Sequence, residues 1–77
     1  MISFEEALKK AKALKPNSNE CSELSNAYIF SGKDDANYEG GSGHTPCVII
    51  KETGEAVNMP TYIAEYGYGK ELRILDL

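Results

Sequence analysis

Pro46-Cys47-Val48-Ile49-Ile50-Lys51-Glu52-Thr53-Gly54-Glu55-Ala56-Val57 is the stretch that decides the fold. Its first half is an unbroken apolar, β-branched run, which suits a buried strand. Pro46 stands at the start, where no ladder donor is needed. Glu52-Thr53-Gly54-Glu55 predicts a tight turn with Gly54 supplying a positive φ, and Ala56-Val57-Asn58-Met59 then returns as the antiparallel partner.

Upstream, Ala27-Tyr28-Ile29-Phe30 is aromatic and β-branched and closes on Ser31-Gly32, so it predicts a second strand. Residues 17–26 (NSNECSELSN) are polar and rich in cap and turn formers, and predict a loop with at most one helical turn. Further upstream, Ser3 and Glu6 form a capping box, and Phe4, Ala7, Leu8, Ala11 and Leu14 follow a 3.6-residue period. A helix over Phe4–Leu14 follows, with acid at its first turn, lysines toward its end and Pro16 stopping it at Lys15.

Downstream, Pro60-Thr61 predicts an interruption, and Tyr62 to Tyr66 a short helix ending at Gly67 as its C′ residue. Glu71 to Leu77 predicts a last strand with one apolar face. The sum is a single α+β domain over residues 1–77: an N-terminal helix packed on a three- to four-stranded antiparallel sheet, with a possible short second helix.

Composition bounds the function. The chain has 77 residues, 42% apolar and 26% charged, an ordinary globular balance. Eight basic and twelve acidic residues give −4. That argues against direct nucleic-acid binding, which needs a basic face. The charge is uneven: residues 1–15 hold four Lys and two Glu, and residues 16–77 hold four basic and ten acidic residues. Apolar runs such as Cys47–Ile50 reach only four residues, far below the roughly 20 of a membrane span. No basic segment leads into an apolar one at the N-terminus, so no secretory signal is predicted. Two cysteines, Cys21 and Cys47, fit no zinc spacing and predict reduced thiols in a cytoplasmic protein, with Cys47 buried; a single disulfide is the alternative.

Residues 32–45 (GKDDANYEGGSGHT) form the one long loop. Asp35-Ala36-Asn37-Tyr38-Glu39-Gly40 opens like a calcium loop, but its twelfth position is Pro46 where a bidentate Glu is required. His44 and Cys47 are three apart, which on an extended chain sends them to opposite faces, and no third group orients the imidazole. Gly40-Gly41-Ser42-Gly43 lacks the Lys-Ser/Thr pair of a phosphate loop. Asp34 and Asp35 have no apolar pocket to raise either pKa. No catalytic residue, metal ligand or cofactor is therefore predicted. Of the tyrosines, Tyr62 is expected in the core, and Tyr38 and Tyr68 exposed.

The hairpin, together with Phe4–Leu14, Tyr28-Ile29-Phe30 and Tyr62–Tyr66, resembles the small YrhB-like immunity proteins of bacterial polymorphic-toxin systems. That resemblance implies a non-enzymatic protein that binds a toxin domain and blocks it. Acidic charge suits the role, since it steers association with a basic target. Alternatives are a phage or mobile-element inhibitor of a nucleic-acid-binding defence enzyme, a small ligand-binding domain, and a homodimeric structural domain joined by an edge strand. Asp34, Asp35, Tyr38, Glu39 and Tyr68 are the predicted partner contacts, on a monomer or weak homodimer.

Overall fold

The computed structural model describes residues 1–32 and 46–77. Its elements run α1 (Phe4–Leu14), β1 (Glu20–Leu24), β2 (Ala27–Ser31), β3 (Cys47–Ile50), β4 (Ala56–Val57), α2 (Met59–Glu65) and β5 (Glu71–Asp76). The strands form one antiparallel sheet in the order β4-β3-β2-β1-β5. The α+β arrangement is as predicted, with five strands rather than three or four.

The additional strand is β1, in the segment expected to be a loop. Cys21 packs into the α1 side of the sheet and Leu24 into the opposite side. Each face thus receives one apolar residue of β1. The second α1-side position is Glu23, so neither alternation shows in the sequence. Glu23 is tolerated there because two cations neutralise it: Lys51 Nζ at 2.7 Å and Arg73 Nε at 2.5 Å. Lys51 also lies 4.9 Å from the centre of the Tyr28 ring, a cation–π contact.

α1 begins as predicted, with Ser3 Oγ accepting from the Glu6 N–H at 3.2 Å. It buries Ala7 and Ala11, whose small side chains let the helix lie close to the strands. Phe4 meets Tyr28 edge-on at 5.7 Å and stacks on Phe30 at 6.2 Å. With Cys21 and Ile49 these residues make the first core. The second lies on the opposite face, where Tyr62 of α2 covers Leu24, Ala27, Ile29, Val48 and Ile50. This double covering explains why β2 and β3 read as continuous apolar runs.

α2 starts at Met59, not Tyr62. Asn58 caps it by accepting from the Thr61 N–H at 2.8 Å, and Pro60 stands in the first turn, where its missing N–H is no loss. The proline therefore opens the helix instead of interrupting the chain, and β4 is correspondingly reduced to Ala56–Val57. Gly54 and Gly67 take the positive φ values expected of them, 75° and 79°.

β5 departs from the predicted apolar face. Arg73 and Asp76 fall on opposite sides, and only Leu75 packs against the first core. Leu72 is an extra residue, because Glu23 pairs with Arg73 and Leu24 with Glu71. Cys47 is half-buried rather than buried, and both thiols are free. Phe30 stands between them, paired with Cys21 on one side and Cys47 on the other. Two strand spacings, roughly 9–10 Å, exceed the span of a disulfide, which disposes of the single-bridge alternative. Among the described residues, no helix is long and apolar enough to cross a membrane.

Candidate functional site: a tyrosine cluster beside a cleft

Asp34, Asp35, Tyr38 and Glu39 lie outside the described residues. Tyr68, the remaining predicted contact, is 59% exposed. It sits in a cluster that only partly shows in the sequence.

The cluster is built on Tyr62. Its ring is buried, and its hydroxyl donates to Asn26 Oδ1 at 2.6 Å and accepts from the Gly69 N–H at 2.9 Å. The Asn26 amide donates to the Gly67 carbonyl at 3.0 Å. Ser25 completes the attachment: its N–H donates to the Lys70 carbonyl at 2.8 Å, and its Oγ accepts from the Lys70 N–H at 3.0 Å. The segment after α2 is thereby stitched to the β1–β2 turn. A Cβ on residue 69 would stand 2.3 Å from Asn26 Oδ1, so this close approach requires glycine.

Two further tyrosines flank this anchor. Tyr66 stacks on Tyr62 with ring centres 6.4 Å apart, and Tyr68 tilts against it at 6.1 Å. Tyr66 is 41% exposed. Its hydroxyl donates to Glu55 at 3.4 Å. Partial removal from water, then the carboxylates of Glu55, Glu65 and Glu52, push the Tyr66 pKa above the ordinary phenol value. Beside it opens a cleft of about 310 Å³, lined by Met1, Ser25, Asn26, Ile50, Lys51, Glu52 and Tyr66.

Replacing Tyr62 by Phe tests the anchor. Asn26 Oδ1 and the Gly69 N–H each lose their bond to the hydroxyl, which costs about 1–3 kcal/mol. Equilibrium urea unfolding of Y62F measures it, together with the amide proton shift of Gly69.

Other groups have structural explanations. Burial pushes the Cys21 thiol up to about 12, and it pushes Cys47 up as well, against a smaller opposing effect of Lys15. Neither is a ready nucleophile. A second cleft, about 290 Å³, lies between Leu14, Lys15, Cys47 and Val57. Among the described residues, no group of three His, Cys, Asp or Glu side chains is placed to hold a metal ion.

Tyr66 and the Ser25–Asn26 turn were not foreseen as parts of one site. Tyr62 and Tyr66, four apart, read equally well as the packing face of a helix. Asn26 and Tyr62 are 36 residues apart, so their bond has no local signature. The available signal was the Gly67-Tyr68-Gly69 bracket, which marks Tyr68 as held by special backbone. No family model, curated protein or solved structure matches the chain.

Proposed function

We propose that this is a non-enzymatic, acidic protein that binds and neutralises a basic protein partner, in the manner of an immunity protein. The observation that carries this reading is the pair Tyr66 and Tyr68, exposed yet fixed against the buried Tyr62, with Tyr66 lining a cleft. Tyrosines held in place before binding give large contact area with little ordering to lose. Glu52, Glu55 and Glu65 around Tyr66 add charge that steers a basic partner and rejects an acidic one. The cleft is large enough to receive one anchoring side chain of that partner.

The test is affinity capture with immobilised wild type and the Tyr66→Ala/Tyr68→Ala double variant in parallel, followed by reconstitution with the purified partner. One stoichiometric partner is expected, released by rising salt and bound at least tenfold more weakly by the double variant, on the scale of two interface tyrosines. The reading is overturned if no partner is held at any ionic strength, or if the double variant holds it equally well.

A further inference from the structure

Tyr68 stands between two glycines, and one side chain on another element holds them both. The Asn26 amide donates to the Gly67 carbonyl at 3.0 Å, and Asn26 Oδ1 accepts from the Tyr62 hydroxyl at 2.6 Å. That hydroxyl accepts in turn from the Gly69 N–H at 2.9 Å. The bonds run head to tail from Gly69 through Tyr62 and Asn26 to Gly67, an order in which each polarises the next. Asn26 is itself tied down from a third side, because its backbone carbonyl accepts from the Lys51 N–H at 3.0 Å. The turn that follows Lys51 carries Glu52 and Glu55, and Glu55 accepts from the Tyr66 hydroxyl.

The two ends of this crossing are secured without Asn26. The Gly67 N–H bonds to the Tyr62 carbonyl at 3.0 Å, closing α2, and Lys70 is bonded to Ser25 through both its N–H and its carbonyl. Between them the backbone has glycine on each side of Tyr68, the residue with most conformational freedom to lose, and Gly67 takes a positive φ. Holding that stretch calls for a donor toward Gly67 and an acceptor toward Tyr62. A side-chain amide presents the two on separate atoms of one short planar group; a carboxylate accepts but cannot donate.

We propose, on the partner-binding role given above, that Asn26 is the positioning residue of the tyrosine surface, keeping Tyr68 against Tyr62 and in one relation to Tyr66 before a partner arrives. A partner then meets tyrosines that are already ordered, and the cost of ordering them is not taken out of the affinity. Asn26 acts through Tyr68, so its effect on binding vanishes when the Tyr68 ring is absent.

NMR relaxation of the full chain tests the positioning with no partner present. Backbone order parameters of Gly67, Tyr68 and Gly69 are expected near about 0.85 in wild type, the level of rigid backbone, with contacts seen between the Tyr62 and Tyr68 rings. Asn26→Asp keeps the acceptor and loses the donor. It is expected to bring the Tyr68 value below about 0.6 and erase the ring contacts, with β2 and β3 unchanged. For the partner captured by wild type, Asn26→Asp is expected to weaken binding about fivefold, the scale of one hydrogen bond, and to cost nothing further in a Tyr68→Ala background. A wild type with a mobile Tyr68 amide overturns the proposal before any variant is made. So does an Asn26→Asp variant with wild-type order parameters, or one that loses affinity equally in both backgrounds. Should wild type capture no partner, the function proposed above falls, and the order parameters alone decide whether Asn26 holds the pair.

Discussion

Replacing Phe30 with alanine lowers the free energy of unfolding by about 3–5 kcal/mol, the range for emptying a large aromatic site in a core. Phe30 is fully buried on the central strand, and four different elements depend on it. Phe4 of α1 stacks on it, Tyr28 of its own strand tilts against it, and Cys21 and Cys47 flank it in register. None of these neighbours can fill the space: the helix is held by its Ala7 and Ala11 contacts, and the strands by their ladders. A domain of this length has a total stability of roughly 4–12 kcal/mol. F30A is therefore expected to lie near the limit of folding. Urea denaturation followed by circular dichroism checks it, and a loss below 1 kcal/mol would show that the first core is not organised around this ring.

The second large effect is electrostatic. The Glu23 side chain is 13% exposed and that of Lys51 10% exposed. Glu23→Gln keeps the shape but leaves the Lys51 ammonium without its anion. Exposed pairs are worth at most about 1 kcal/mol, and breaking a fully buried one costs about 3–5 kcal/mol. This pair sits between, and a loss of about 2 kcal/mol is expected near neutral pH. Hydrogen bonds from Lys51 and then Arg73 hold the Glu23 carboxyl below the ordinary glutamate pKa. Its contribution is thus fully present above the unfolded-state value, about 4.3, and is lost as pH falls through the lower folded-state value. Stability of wild type and E23Q, measured by urea unfolding from about pH 7 down to about pH 3, should converge at the acid end. Parallel curves would contradict the assignment.

The legibility of this fold varied with the range of the interactions involved. α1, the β3–β4 turn at Gly54 and the helix stop at Gly67 rest on contacts within a few residues, and their residue types announce them. β1 did not announce itself, because its inward charge is offset by Lys51 and Arg73, 28 and 50 residues away. The start of α2 was hidden by Pro60, which opens a helix when a capping residue such as Asn58 precedes it. In the candidate site, Tyr68 is exposed as expected. The role of Tyr66 depended on Glu55 across the hairpin, and that of Asn26 on Tyr62 in the second helix.

The strand order also dictates a sequence of events during folding. β1 and β2 are joined by the two-residue turn at Ser25 and Asn26, a hairpin that can close in about 1–10 μs. β5 must instead find β1 from some fifty positions along the chain, and each doubling of such a loop adds about 0.6 kcal/mol to its closure. β5 is therefore expected to dock after the β1–β2 hairpin has closed. Amide hydrogen exchange is expected to show β5 opening before β2, and that release would expose the partner edge of β1.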